Sequence, residues 1–209
     1  MSWLRRSRSP LAAPPPEVVE QVPHGTRLLA AVPVCADGRC WLLACEDGVR
    51  GARVLPGEGA GAGEREDDRA GPLAAWQGVT GWDRVTRARW DAQTRSLVFH
   101  ILHEDEERVV VLPAALRQDR GDGVAEERRV DESAFSLAVR QQVERAIVYY
   151  VSQTLASGVR VTASVRRRTD GGLYSVLDPA EDSTELARQQ EEARALLRRV
   201  REGVGLPTH

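Results

Sequence analysis

The sequence predicts an α+β protein in which an antiparallel sheet or barrel packs with a long helix, a further β-hairpin and a C-terminal helix. Two Asp-Gly pairs, Asp37-Gly38 and Asp47-Gly48, lie between apolar runs, and Asp-Gly is a strong hairpin signal. Apolar residues then recur at helical spacing from Phe135 to Leu155. Beyond them, apolar and polar residues alternate over residues 159–166, which is typical of a strand with one solvated face.

Residues 25–115 are predicted to form a meander of short antiparallel strands. The run from Arg27 to Cys35 is almost entirely apolar, as expected for a strand that is covered on both faces. The first Asp-Gly turn places Cys35 directly opposite Cys40. Residues 56–72 are rich in glycine and charge, which indicates a mobile loop that interrupts the meander.

The remaining segments are assigned from their proline, glycine, charged and helix-capping residues. Residues 1–24, with several prolines and arginines, are predicted to be a flexible arm, and residues 116–131 a polar loop. Residues 132–203 are predicted to form a helix, a hairpin and a second helix packed on the meander. Ser133 is the expected N-cap of the long helix and Gly158 its C-terminal stop. The last helix is expected to begin between Asp178 and Asp182.

The charge of the chain is nearly balanced, with a formal net charge of −2 over 209 residues. Such a chain has no excess of positive charge that would attract nucleic acid, so nucleic acid is not an expected partner. All 29 basic residues are arginine, and lysine and asparagine are absent, a bias that matches a GC-rich genome. Arginine clusters in this chain are weak indications of a binding site, because arginine is its only permanent cation.

Cysteine usage and hydropathy favour a cytoplasmic protein. Cys35, Cys40 and Cys45 are odd in number, and their regular spacing is not that of a zinc site. We expect Cys35 and Cys40 to be reduced and half-buried, with a redox switch as the alternative. No window approaches the roughly 20 apolar residues of a membrane-spanning helix, and no signal-peptide core follows the first basic residues.

Catalytic and metal-binding patterns are weak. His100, His103 and Glu104 resemble a metal motif, but residues three apart on a strand point to opposite faces. No phosphate-binding loop is present, so no cofactor and no metal are expected. Asp83 and Asp91 could be read as an acid–base pair, although turn and capping roles explain them as well. Four tryptophans are expected in the core rather than on a binding surface: Trp41, Trp76, Trp82 and Trp90.

One arginine cluster is a candidate ligand-binding site. On a strand, Arg160, Arg166 and Arg168 share one face, which the alternation predicts to be solvated. Three guanidinium groups in a row could bind a phosphate, an acidic headgroup or an acidic protein. The alternative is that these charges only solvate an edge strand and prevent aggregation.

The stretch Arg27-Leu-Leu-Ala-Ala-Val, the Asp37-Gly38 hairpin and the segment from Trp82 to Asp91 resemble the strand meander of bacterial PH-like domains. From about residue 25 to residue 203 the chain is similar to a group of uncharacterised proteins from high-GC bacteria. In these proteins a helix, an arginine-rich strand such as Arg166-Arg167-Arg168, and a helix that starts at Asp-Pro follow the meander. The resemblance implies a PH-like fold and a non-enzymatic role, and it implies no ligand.

Three functional hypotheses follow. The first is a non-catalytic binding or scaffolding protein that recognises a protein partner through sheet edges, the arginine face or loops. The second is a binder of an acidic small ligand or headgroup through Arg160, Arg166 and Arg168. The third is an enzyme whose site carries no recognised motif.

Overall fold

A computed structural model of the chain describes residues 10–54, 71–119 and 125–207. The described residues form an α+β structure with several antiparallel sheets and few helices, as the sequence predicts. The chain divides into two compact units. Unit 1 comprises Met1–Thr80, Arg89–Val98 and Val109–Val139, and unit 2 comprises Gly81–Ala88, Phe99–Arg108 and Arg140–His209.

The described elements are three helices and eleven strands, with short 3-10 turns between them. The helices are α1 (Pro16–Val19), α2 (Ser133–Ala146) and α3 (Gln190–Gly203). The strands are β1 (Leu28–Pro33), β2 (Cys40–Cys45), β3 (Gly48–Arg53), β4 (Val85–Asp91), β5 (Ser96–Ile101), β6 (Arg108–Val111), β7 (Ala115–Asp119), β8 (Ala125–Arg129), β9 (Ile147–Thr154), β10 (Arg160–Arg167) and β11 (Leu173–Asp178).

In unit 1, the strands β1, β2 and β3 form an antiparallel sheet in that order. Two hairpins lie where the Asp-Gly pairs predict them, but the register of the first differs from the prediction. Pro33 is paired with Trp41, so Cys35 lies in the loop and is not opposite Cys40. The loop is longer than two residues because the Cys35 carbonyl accepts the Gly38 amide and closes a separate turn. In the second hairpin, Cys45 is paired with Gly48, so the turn falls on Glu46 and Asp47.

The hydrophobic core of unit 1 is built around the central strand β2. Trp41, Leu43 and Cys45 on one face of β2 are fully buried, together with Leu116 and Val18. Because side chains alternate along a strand, these three odd-numbered residues share one face of the sheet. The burial of Val18 shows that the described part of the predicted arm is packed rather than free. Residues 1–9 of that arm lie outside the described residues.

The predicted polar loop at residues 116–131 is instead the β7–β8 hairpin, in which Ala115 is paired with Arg129 and Gln118 with Glu126. Leu116 anchors this hairpin because it is fully buried in the core of unit 1. The other positions of the two strands are mostly polar or charged, and the few apolar residues, at the start of each strand, give no clear period from which the strands could be predicted. The predicted mobile loop at residues 56–72 lies almost wholly outside the described residues.

A further sheet has the order β4-β5-β6. Together with the β1-β2-β3 sheet, it shows that the predicted meander forms two separate three-stranded sheets in the described chain. The antiparallel part of the prediction is therefore confirmed, whereas the described strands are not joined into one closed barrel.

Unit 2 contains the sheet β11-β10-β9, which is covered on one face by α3. Val161, Ala163 and Val165 of β10 are fully buried, as the alternation predicts, but Ser164 and Arg166 on the face predicted to be solvated are buried as well. The three apolar residues pack with Leu177 of β11 and with the apolar stripe of α3, which consists of Ala193, Leu196 and Val200. This packing holds both edge strands of the sheet against one hydrophobic core.

The long helix is shorter than predicted. Helix α2 begins at Ser133 and buries Phe135, Val139 and Val143, but it ends at Ala146 and the chain continues directly into β9. The run from Ile147 to Val151 consists of β-branched and aromatic residues, which favour a strand over a helix. The predicted hairpin is therefore part of a three-stranded sheet. The last helix also starts later than predicted, at Gln190, after a 3-10 turn at Thr184–Leu186.

Candidate functional site

The three arginines of the predicted binding face do not form one solvated surface. Arg160 and Arg168 are exposed, but Arg166 is 3% exposed. The guanidinium of Arg166 donates through Nη1 to the carbonyl oxygens of Asp83 at 2.9 Å and Val85 at 3.1 Å. Its Nε donates to Ser164 Oγ at 3.0 Å. Arg166 therefore binds the backbone of its own unit, and the prediction of three solvated arginines on one face is wrong.

Tyr174 completes this buried cluster. Its hydroxyl donates to Asp83 Oδ2 at 2.9 Å, and the guanidinium carbon of Arg168 lies 4.7 Å from the centre of its ring. Burial raises the pKa of Tyr174 to about 12, and the hydrogen bond to Asp83 adds to the effect. Burial also lowers the pKa of the Arg166 guanidinium below its ordinary value. These contacts fasten the segment at Asp83 to the sheet, and they leave Arg160 alone as an uncommitted member of the predicted site.

The histidines and aspartates of the weak catalytic patterns have structural partners. His103 Nε2 donates to the carbonyl oxygen of Leu177 at 2.7 Å, and His100 Nε2 lies 3.2 Å from Glu107. Asp91 accepts the amides of Gln93 and Thr94 in a turn, and these bonds lower its pKa. Asp83 and Asp91 thus have separate roles. Within residues 10–54, 71–119 and 125–207, no group of three or more acidic, histidine or cysteine residues is arranged to hold a metal ion.

The described tryptophan and cysteine side chains are buried or half-buried. Trp41, Trp76 and Trp82 are buried as predicted, whereas Trp90 is half-buried with Arg95 against its ring. Cys35 and Cys40 are free and half-buried. Burial, with the neighbouring Cys40, raises the pKa of the Cys35 thiol to about 12.

The feature that sequence reasoning missed is the edge strand β9. Among the described strands, β9 is hydrogen-bonded to β10 on one side and to none on the other. Its sequence Ile-Val-Tyr-Tyr-Val-Ser-Gln-Thr contains no charge. Three large apolar side chains are exposed along it: Val148 at 36%, Tyr149 at 40% and Tyr150 at 61%. Eight residues of strand span roughly 27 Å.

These exposed side chains lie on both faces of the sheet. Tyr149 is paired with Val165 of β10, so it points to the side of the sheet that α3 covers. Its ring lies against Gly203 at the end of α3, where a side-chain Cβ would come within 3.1 Å of the ring. Tyr150 is paired with Ser164 and points to the opposite side. A strand added beside β9 would therefore contact apolar surface on both faces.

The other edge strands of the described sheets are protected in ordinary ways. Strands β3, β4 and β6 carry arginine, and β11 ends in Asp178. Strand β1 is uncharged, but it ends in proline and none of its side chains is exposed. Natural proteins use charges, proline and coverage to prevent pairing of an edge. Strand β9 lacks all three, and its ladder with β10 is interrupted only by a bulge at Val148. The regular, uncharged stretch from Tyr149 to Thr154 distinguishes it as a surface for strand pairing.

The signal that could have located this edge is the run of β-branched and aromatic residues from Ile147 to Val151. The helical period set by Phe135, Val139 and Val143 extends through this run and predicts a longer helix. A weighting by residue type would have favoured a strand at this point.

Comparisons with known proteins add little to this geometry. No family model matches the chain, and no curated protein matches it. A solved structure described as "AfRom2 CNH domain" is similar over 74% of this chain and 40% of that chain, with 13% sequence identity and a TM-score of 0.20. The chain thus spans less than half of that structure, and a likeness at this TM-score carries no argument. Among the described residues, no helix is both long and apolar enough to cross a membrane.

Proposed function

We propose that this chain is a non-catalytic protein-binding module that pairs its β9 edge with an extended segment of a partner protein. The observation that carries the proposal is the combination of length, neutrality and exposed apolar side chains on β9. In strand addition, main-chain hydrogen bonds supply affinity, and alternate side chains supply specificity.

The chemistry of the edge fits this mode of recognition. In an antiparallel ladder, about half of the residues of an edge strand direct their N–H and C=O groups outward. A partner strand would satisfy about four such residues of β9. It would also cover Val148, Tyr149 and Tyr150, and tyrosine is a common hot-spot residue because it buries a large area at a small entropic cost.

The position of β9 in unit 2 supports a rigid binding edge. Ala163 and Val165, its partners on β10, are fully buried on the face of the sheet that α3 covers. The Ser152 and Thr162 hydroxyls are hydrogen-bonded to each other at 2.7 Å across the β9–β10 pair. From Tyr149 to Thr154 β9 is held in a regular ladder with β10, so this stretch loses little conformational freedom when a partner binds.

The second hypothesis, an acidic ligand held by Arg160, Arg166 and Arg168, has less support. Arg166 is committed to Asp83 and Val85, and Arg168 lies over Tyr174. The PH-like classification and a cytoplasmic location stay predictions, and the proposal depends on neither.

The proposal is tested by affinity capture from a native lysate with three baits: the wild type, Tyr150→Arg, and Val111→Arg as a matched control. Val111 lies on the edge strand β6 and is 59% exposed, so its substitution adds the same charge to a similarly exposed strand position. We expect a protein that the wild type and the control capture and that Tyr150→Arg loses. Binding of that purified protein should be weakened more than about tenfold by Tyr150→Arg.

Equal capture by all three baits would place the partner on another surface and contradict the proposal. The chain itself, in tagged and untagged form, counts as a partner in this experiment.

A further inference from the structure

We propose that the occupant of the β9 edge is β9 of a second copy of this chain, giving a twofold-symmetric dimer with one continuous six-stranded sheet. This inference rests on the proposed function of the β9 edge and names its partner. The strand order across the dimer is β11-β10-β9 followed by β9-β10-β11 of the second copy, with the two central strands antiparallel.

Symmetry restricts the register of such a pair. A twofold axis perpendicular to a continuous sheet makes the strands antiparallel and leaves each face of the sheet on its own side. Side chains alternate between the faces, so two residues that pair across the axis must both be odd-numbered or both even-numbered. The register is therefore centred on one residue, which faces the same residue of the second copy across the axis.

The register centred on Tyr150 uses the regularly paired part of β9. A register centred on Tyr149 would set Tyr150 opposite Val148, which is an extra residue in the β9–β10 ladder. The register centred on Tyr150 places Tyr150 opposite Tyr150 of the second copy and Tyr149 opposite Val151, on the two faces respectively. Aromatic pairs and pairs of an aromatic with a β-branched residue are the cross-strand pairs that stabilise sheets most. The register centred on Val151 instead sets Tyr150 opposite Ser152 and Tyr149 opposite Gln153, which pairs the exposed rings with polar residues.

The charge of β9 also favours a second copy over a foreign strand. A charged residue at the centre of a symmetric pair meets an identical charge, and like charges directly opposite each other destabilise a sheet. Strand β9 is neutral over all of its eight residues in a chain of which 29% of residues are charged. Recognition of a different protein usually uses charge to set specificity and register. The small net charge of −2 leaves little repulsion between two copies.

Tyr149 is already positioned for this contact. Its ring lies against Gly203 of α3, and the side chain is still 40% exposed at the open side of the edge. In the dimer, Val151 of the second copy covers this ring. Because α3 lies on the same face in both copies, the two Gly203 ends flank the symmetric contact on one side of the sheet.

The test uses the full-length chain and opposite charges at the axis. Sedimentation velocity is measured up to about 100 µM for the wild type, Tyr150→Arg, Tyr150→Glu, an equimolar mixture of these two variants, and Val111→Arg. We expect dimers for the wild type and for Val111→Arg. Each single Tyr150 variant should raise the dimer dissociation constant more than about tenfold, because it places like charges opposite each other. The mixture should form a heterodimer, because arginine then faces glutamate.

Three results would overturn the inference. A wild type that stays monomeric at the highest concentration excludes a second copy as the occupant, although loss of another captured protein in Tyr150→Arg would still support the proposed function. A dimer that neither Tyr150 variant weakens lies on another surface. Two monomeric variants that do not associate when mixed contradict the register centred on Tyr150. Tyr150 is 61% exposed, so the variants should fold, and matching circular dichroism spectra and melting temperatures verify this.

Discussion

Tyr174 and Asp83, 91 residues apart in the sequence, are joined by a hydrogen bond of 2.9 Å from the phenol to the carboxylate. The same aspartate accepts the Arg166 guanidinium through its carbonyl oxygen. Together these contacts hold the segment at Asp83 on the sheet of unit 2. Arg166 of β10, which the sequence predicts to bind a ligand, thus stabilises the unit that contains β9.

The alkaline stability of the protein should report on Tyr174. Burial and Asp83 raise its pKa from 10.0 to about 12. Above pH 10 the unfolded chain releases this proton and the folded chain keeps it, so the contribution of Tyr174 to stability is complete below pH 10 and is lost as the pH rises to about 12. Tyr174→Phe should therefore reduce the fall in the free energy of unfolding over this range.

The ionisation of Tyr174 can be followed directly by subtracting the ultraviolet absorbance titration of Tyr174→Phe from that of the wild type. The difference should rise near pH 12 in the folded protein. A difference that is complete by the ordinary tyrosine pKa would show that the phenol is not held by Asp83.

Arg166→Met should destabilise the protein far more than Arg160→Met. The first substitution removes the side-chain donor to the buried carbonyl oxygen of Val85 and leaves the carbonyl oxygen of Asp83 with only the Tyr174 hydroxyl, which costs about 1–3 kcal/mol of unfolding free energy. Arg160 is exposed, so its substitution should change stability by less than about 0.5 kcal/mol. Urea denaturation of both variants measures the difference. Similar losses in the two would mean that Arg166 is not anchored as described.

Two glycines of unit 1 provide a matched pair for backbone packing. A Cβ at Gly48 would clash with the carbonyl oxygen of Thr80, whereas a Cβ at Gly78 would meet nothing within 4 Å. Val49 and Thr80 exchange backbone hydrogen bonds beside Gly48, so this contact cannot widen without losing them. We expect Gly48→Ala to cost more than about 2 kcal/mol and Gly78→Ala less than about 0.5 kcal/mol. Equal melting temperatures for the two variants would contradict the Gly48–Thr80 contact.

Cys35 should be a slow nucleophile in the folded chain. Its pKa is raised to about 12, which leaves little thiolate near pH 8. Alkylation of Cys35 by iodoacetamide, followed by mass spectrometry, should be slower than in the urea-unfolded chain by more than about tenfold. Equal rates in the two states would show that neither burial nor Cys40 protects the thiol.

Local patterns in the sequence were sufficient for much of the fold. The Asp-Gly pairs located two hairpins, and the alternation from Val159 identified β10 with its buried face. The predicted register of the first hairpin is wrong, because the turn residues alone do not show that Cys35 and Gly38 close a turn of their own. Asp131, not Ser133, caps the start of α2, since its carboxylate accepts the Ser133 amide.

The candidate sites depended on contacts that local patterns cannot show. Arg166 alternates with the buried valines of β10, so its position alone predicts a solvated side chain. The backbone at Asp83, 83 residues earlier, covers it instead. The β9 edge was hidden because Phe135, Val139 and Val143 set a helical period that masks the change to strand at Ile147. Whether an edge is covered depends on distant parts of the chain, so only the structure identifies β9 as open.

The most direct test of the β9 edge is hydrogen–deuterium exchange of the peptides that cover Ile147–Thr154, measured at low and high protein concentration and with any captured partner. We expect the outward amides of β9 to exchange rapidly in the dilute single chain and to become protected when a partner strand binds. The amides of β11, the other edge of the sheet, should not change. Strong protection of β9 under every condition, equal to that of the central strand β10, would show that the edge is already covered within the chain and would contradict the account.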